Sequence, residues 1–138
     1  MSDYITYNHS VCNINYHFVW VTKYRKKILY FDGELKQIFR DICDKYKWEI
    51  KAIEIMPDHI HLFITTPPFD APSKIAKLLK GISARKIFIP HPELKHSLWG
   101  GHLWSASYYC GTAGKVSGDI IRQYIENQKT RSGVSSTD

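Results

Sequence analysis

The sequence predicts an α+β domain, an antiparallel sheet with its helices packed on one face. Three observations carry that expectation. Several stretches rich in Val, Ile and aromatic residues alternate apolar and polar side chains, as a strand with one buried face does. Two longer stretches repeat apolar residues at helical spacing. The elements follow one another as strand–helix–strand–strand–helix–strand–helix, the order of a ferredoxin- or RRM-like sandwich with one additional C-terminal helix. The 138 residues suit a single domain, 1–138, with an ordered core over about 13–130 and a polar, flexible tail over 131–138.

Taken in order, Tyr4 to Cys12 reads as a polar and aromatic leading arm. Asn13 to Thr22 is the first convincing strand, with Ile14, Tyr16, Phe18 and Trp20 on one face and Asn13, Asn15 and His17 on the other. Lys23-Tyr24-Arg25-Lys26-Lys27 follows, four cations around a tyrosine. It is either a solvated loop or a phosphate contact in which Tyr24 stacks on a base. Asp32 to Trp48 is an amphipathic helix with Asp32 as its N-cap and a stripe of Leu35, Ile38, Phe39, Ile42, Cys43 and Tyr46. Glu49 to Met56 alternates as a second strand, and Pro57-Asp58 turns it into a third, so these two strands form a hairpin.

Pro67-Pro68 ends the third strand, and Pro72-Ser73 opens a second long helix that runs to about Phe88. Ile75, Leu78, Leu79, Ile82 and Ile87 form its apolar face. Lys74, Lys77, Lys80, Arg85 and Lys86 form a cationic side that suits either DNA or plain solvent. Pro90-His91-Pro92 breaks the helix, Trp99-Gly100-Gly101-His102 is a turn, and Leu103 to Cys110 is a further aromatic strand. Gly111, Gly114 and Gly118 punctuate a flexible connection to a last helix, N-capped by Ser117 and fading by Thr130.

Composition narrows the function classes. Hydrophobic residues make up 43% of the chain, so it is globular. A net charge of +6 leans toward a polyanionic partner such as nucleic acid. Cys12, Cys43 and Cys110 are widely spaced and form no C-x-x-C pair, so they read as free thiols in a reducing compartment. The N-terminus shows no secretory pattern and no apolar run is long enough to span a membrane, so a soluble, intracellular protein is expected.

The chemistry concentrates in Met56-Pro57-Asp58-His59-Ile60-His61-Leu62-Phe63-Ile64. In a strand, His59 and His61 share one face while Ile60, Leu62 and Ile64 point to the other. Two imidazoles at that spacing can grip one metal ion, although a pair of half-exposed strand histidines satisfies the same pattern. In the last helix, Tyr124 and Gln128 lie four apart and share a face. With that helix against the histidine face, His59, His61 and the Gln128 amide oxygen supply three neutral ligands, and Tyr124 stands near a polarised phosphorus. Alone, a tyrosine on a helix is an ordinary packing residue. The combination carries the weight. No Walker loop is present, and the reading calls for no nucleotide cofactor.

At this point four motifs in order carry a resemblance: Met-Pro-Asp-His-Ile-His-Leu at 56–62, Leu79-Lys80-Gly81-Ile82-Ser83-Ala84-Arg85, Leu98-Trp99-Gly100-Gly101 with Leu103-Trp104-Ser105, and Tyr124-Ile125-Glu126-Asn127-Gln128. Over about Asn13 to Lys129 the chain resembles the single-tyrosine HUH transposases of the insertion-sequence 200/605 family. The resemblance implies Mg²⁺ or Mn²⁺ held by His59, His61 and Gln128, and Tyr124 as nucleophile. It also implies single-stranded DNA hairpins at transposon ends as substrate, a 5′-phosphotyrosine with a free 3′-hydroxyl, and a homodimer whose active sites can take the tyrosine helix from either subunit. A cytoplasmic, nucleoid-associated prokaryotic protein follows from the same likeness. DNA contacts are expected at Lys23, Tyr24, Arg25, Lys80 and Arg85. The glycine-rich Cys110-Gly111-Thr112-Ala113-Gly114 departs from the family's pattern just before the tyrosine helix. Two other readings compete: a related HUH nuclease (a domesticated repeat-associated transposase or a nickase) and a non-catalytic RRM-like nucleic-acid binder, although no strand shows the RRM ribonucleoprotein signature.

Overall fold

The computed structural model describes residues 5–7, 10–12 and 14–113. Strands β1 (Ile5–Tyr7) and β2 (Ser10–Cys12) form a small antiparallel ribbon, so the leading arm carries a hairpin that its mixed polar pattern does not announce. The main sheet has four strands: β3 (Ile14–Val21), β4 (Glu49–Ile55), β5 (His59–Thr66) and β6 (Tyr109–Ala113). Their spatial order is β4-β5-β3-β6, with every neighbouring pair antiparallel. The expected α+β sandwich of the ferredoxin or RRM type is therefore the fold of the described residues.

Parity explains the two sides of the sheet. In β3 and β5 the cross-strand pairs Phe18–Leu62, Tyr16–Ile64 and Trp20–Ile60 face the helices. The pairs Asn15–Thr65, His17–Phe63, Val19–His61 and Val21–His59 face the other way. Helix α1 (Asp32–Tyr46) buries Leu35, Phe39, Ile42 and Cys43, and helix α2 (Pro72–Phe88) buries Ile75, Ala76, Leu79, Ser83 and Ile87. These side chains form one core with Phe18, Trp20, Ile60, Leu62 and Ile64, and Trp20 meets Phe39 edge-on at 5.9 Å. Proline opens α2 with a fixed φ, and Lys47 ends α1 in the left-handed conformation at φ 61°.

Three boundaries differ from expectation. Asp32 is the first helical residue of α1 and not its cap: Phe31 holds the cap position and offers no side-chain hydrogen bond. Strand β4 does not alternate cleanly because a register shift falls between Ile50 and Ala52, which puts Ala52 opposite Phe63 and Ile53 opposite Leu62. The last strand is displaced toward the C-terminus, to 109–113 instead of 103–110. Leu103 and Trp104 instead plunge into the core, where the Trp104 indole Nε1–H donates to Ser83 Oγ at 3.0 Å. Gly111 thus lies inside the strand and not in a flexible connection. A Cβ there would crowd the phenol end of the exposed Tyr109 side chain, which would have to shift.

Between the core elements, α3 (Glu93–His96) and a short turn of 3₁₀ helix at Trp99–Gly101 follow the break after α2. Gly100 and Gly101 take φ of 80° and 69°, which explains the paired glycines of that turn. Among the described residues no helix is long and apolar enough to cross a membrane, and Cys43 and Cys110 are free thiols.

Candidate active site

Both histidines of the H-x-H stretch leave β5 on the side away from the helices, and both are buried there, His59 at 5% and His61 at 2% exposure. Their rings lie 5.1 Å apart between centroids and cross at 76°. The hydrogen bonds behind them decide which nitrogen each presents. His59 Nδ1 lies 2.6 Å from Asp58 Oδ1. An ionised carboxylate only accepts, so Nδ1 carries a proton and donates, and in the neutral ring the lone pair is then on Nε2. Asp58 is anchored in turn, its other oxygen 3.5 Å from an Arg25 guanidinium nitrogen and its carbonyl accepting from the Thr22 amide at 2.9 Å.

His61 is backed differently. Its Nδ1 lies 3.2 Å from Nε2 of His17, one step along β3 on the same face. His17 is itself wedged flat against Phe63, with centroids 4.2 Å apart and planes 2° apart, and edge-on to Tyr109 at 5.8 Å. Burial pushes the His17 imidazole down to about 4, so it is neutral at pH 7 and keeps one nitrogen able to accept.

Two histidines with occupied Nδ1 atoms and neighbouring rings suit a divalent ion bound through nitrogen. Among the described residues no group of three or more His, Cys, Asp or Glu side chains is arranged to hold a metal. Tyr124 and Gln128, the expected nucleophile and third ligand, lie outside the described residues, as does the whole expected tyrosine helix.

The expected DNA-contacting residues fall in two places. Lys23, Tyr24 and Arg25 form a turn of 3₁₀ helix abutting Asp58, hence beside the start of the histidine strand. Tyr24 and Arg25 take positive φ values of 60° and 52°, a strained backbone that holds the Tyr24 ring out at 61% exposure. Lys80 and Arg85 lie on α2. Arg85 is exposed. The Lys80 ammonium turns inward instead, donating to the carbonyls of Ser105 (2.6 Å), Ala106 (3.2 Å) and Ser107 (3.1 Å). Burial lowers its pKa. Lys80, Arg85, Lys95 and His102 also rim a groove of about 390 Å³ whose walls include Phe88 and Trp104.

His17 and Asp58 are the site residues that sequence patterns did not single out as functional. A signal existed for His17, which shares parity with the histidine face and not with Phe18 and Trp20. Only the cross-strand register brings it to His61.

The description "Transposase IS200 like" fits a family profile that matches residues 10–128 of this chain. The chain belongs to the IS200-like transposase family. It is 42% identical over 121 residues to the ISDra2 transposase TnpA of Deinococcus radiodurans, covering 86% of each chain. It is 31% identical over 132 residues to the transposase for insertion sequence element IS200 of Salmonella typhimurium, covering 93% of this chain and 85% of that one. A crystal structure from Deinococcus radiodurans R1, described as a transposase, superposes with a TM-score of 0.74 at 40% identity, over 90% of this chain and 97% of that one. A REP-associated tyrosine transposase bound to a REP hairpin shares the fold, with a TM-score of 0.58 at 17% identity over 90% of this chain and 68% of that one. This transposase is therefore a DNA-cleaving and strand-transferring enzyme, and the non-catalytic RRM-like reading falls away.

Proposed function

We propose that this transposase cuts and rejoins single-stranded DNA at hairpins near transposon ends, through a covalent 5′-phosphotyrosine on Tyr124. The observation that carries the reading is the pair His59 and His61, buried side by side with both Nδ1 atoms engaged. His59, His61 and Gln128 would hold Mg²⁺ or Mn²⁺, which when bound supplies Lewis-acid polarisation of a phosphoryl oxygen. All three ligands are neutral, so the cation's charge stays available to the phosphate.

The Tyr124 phenol oxygen forms a bond to phosphorus as the bond from phosphorus to the 3′ oxygen breaks. The phenol proton is lost and the departing 3′ oxygen takes up a proton, leaving a 3′-hydroxyl. Rejoining is the reverse, with a 3′-hydroxyl displacing the phenol. The phosphodiester's energy is conserved in the adduct, so no ATP is required. Lys23, Tyr24 and Arg25 are the favoured contacts for the strand entering beside Asp58, by phosphate pairing and base stacking. Excision needs two breaks, and each leaves one 5′ end on one tyrosine. A chain with one catalytic tyrosine therefore works as a homodimer.

The test is covalent capture on a denaturing gel. Wild-type chain with Mn²⁺ and a labelled hairpin strand is expected to give a protein–DNA adduct that EDTA abolishes and Tyr124→Phe does not form. An adduct that survives Tyr124→Phe would move the nucleophile elsewhere, with Tyr109 beside His17 the next phenol to test. Cleavage undiminished by EDTA would remove the metal from the reaction. Mixing Tyr124→Phe chains with His59→Ala/His61→Ala chains then probes the dimer. Restored cleavage in confirmed mixed dimers indicates a tyrosine working in trans, and its absence restricts each tyrosine to its own subunit.

A further inference from the structure

We propose that His17 is a positioning residue for the metal site: its Nε2 accepts the Nδ1 proton of His61 and thereby commits His61 to present an unprotonated Nε2 to the divalent cation. The inference rests on the metal reading above and goes a step beyond the ligands themselves.

The geometry supplies three independent pieces. The first is the contact: His17 Nε2 and His61 Nδ1 are 3.2 Å apart in a buried environment, within hydrogen-bond range. The second is rigidity. His17 lies parallel to Phe63 at 4.2 Å, and its ring plane is within 16° of that of His61, so its nitrogen is held in one direction. Register pins both strands, because His17 pairs with Phe63 and Val19 with His61 on the same face. The third is the parallel with His59, whose Nδ1 is already committed by Asp58 at 2.6 Å. Each ligand imidazole has a backing group on the same ring nitrogen, supplied by a different element.

Between two imidazoles the shared proton has two possible owners. If His17 donated, His61 would carry its own proton on Nε2 and could not bind a cation there. Cation binding at His61 Nε2 therefore requires the opposite sense, His61 donating and His17 accepting. The two backings also differ in charge. Asp58 places an anion behind His59, whereas His17 orients His61 without adding charge. A carboxylate at position 17 would orient His61 equally well but would offset part of the cation's charge, which the phosphate needs.

The test uses the full-length chain and Mn²⁺ alone, so that no cleavage readout is involved. His17→Phe keeps an aromatic ring to stack on Phe63 but removes the acceptor, and His17→Gln returns an acceptor through its amide oxygen. Mn²⁺ affinity, read by titration calorimetry or by the EPR signal of free Mn²⁺, is expected to fall about 10- to 100-fold in His17→Phe and to recover largely in His17→Gln. Two-bond ¹H–¹⁵N NMR of the metal-free wild type, which needs no variant to fold, is expected to find the neutral His61 proton on Nδ1. Unchanged Mn²⁺ affinity in folded His17→Phe, or a wild-type His61 proton on Nε2, overturns the proposal. His61→Ala separates the two levels. If it binds Mn²⁺ like wild type, the metal reading itself fails. If it loses Mn²⁺ while His17→Phe keeps it, only the role of His17 fails.

Discussion

The two faces of the central sheet are buried to the same degree by different chemistry. On the helix side, Phe18, Leu62 and Ile64 are fully buried in an apolar core. On the opposite side, His17, His59, His61 and Thr65 are almost as inaccessible, yet each is polar. Burying a carbon needs only a neighbour, whereas burying a polar atom needs a partner with the right geometry. The second face is accordingly a set of specific pairs: His59 with Asp58, His61 with His17, and Thr65 Oγ1 with Asn15 Oδ1 at 2.5 Å. One face of this transposase holds the strands in place, and the other uses that rigidity to orient nitrogen lone pairs.

The strongest way to break this comparison is a crossed pair on neighbouring residues. His61→Ala is expected to lower strand cleavage on the order of a thousandfold, from several kcal/mol of lost charge stabilisation, while the urea midpoint moves little. Leu62→Ala is expected to do the reverse, costing about 2–5 kcal/mol of stability while the folded fraction retains its cleavage rate. Equal loss of stability in both variants would show that the two faces are not functionally separate. A smaller effect is expected at the backing group of the other ligand. Asp58→Ala removes the acceptor from His59 and is expected to weaken Mn²⁺ binding about 10-fold or more. Unchanged affinity would mean that the His59 ring is held by its strand alone.

Much of this division was legible before the fold. The parity of Ile60, Leu62 and Ile64 against His59 and His61 separates the faces, and the stripe of Leu35, Phe39, Ile42 and Cys43 is the buried side of α1 as expected. What local patterns could not carry was information from distant chain. Leu103 and Trp104 look like strand residues, but their side chains are taken by the core and by Ser83, and Lys80 gathers the next three carbonyls, so beyond the isolated Thr22–Trp104 bridge a continuous strand forms only from Tyr109. Lys80 looks like part of a cationic helix face for the same reason: nothing nearby in sequence reveals carbonyls 25 to 27 residues on. At the site, the histidine pair is a local motif and was readable. The partnership of His17 with His61 spans 44 residues and depends on register and ring angle. Tyr124 and Gln128 lie outside the described residues, and the Tyr124→Phe adduct assay is the test of the first.

The core side has a polar pair of its own, and it sharpens the contrast because it lies among the helix-side residues and not with the histidines. Ser83 is fully buried and accepts from the Trp104 indole at 3.0 Å. Ser83→Ala leaves that buried N–H without its partner, and a loss of about 1–3 kcal/mol is expected in chemical denaturation. Mn²⁺ affinity is expected to stay at the wild-type value. A parallel loss of metal binding would show that the packing of α2 reaches through the sheet to the histidines.

The smallest expected effect lies at the surface, where a histidine does for stability what the buried ones do for function. His91 Nε2 is 2.9 Å from Glu34 Oε2 and its Nδ1 is 3.2 Å from Glu93 Oε1, so one ring ties the break after α2 to the start of α1 while lying on Phe31 at 4.5 Å. The hydrogen bond it donates to Glu34, with a further contribution from the one to Glu93, raises its pKa above the ordinary 6.5. The folded state therefore holds a proton that the unfolded state releases. The stabilising contribution is fully present below pH 6.5 and is lost as pH rises through the raised folded value. In urea melts, the gap between wild type and His91→Ala is expected to be widest near pH 5.5, to narrow steadily above pH 6.5, and to shrink at high salt, because exposed pairs are screened. A gap that stays constant from acid to alkaline pH would assign the role of His91 to its stacking on Phe31 and not to its charge.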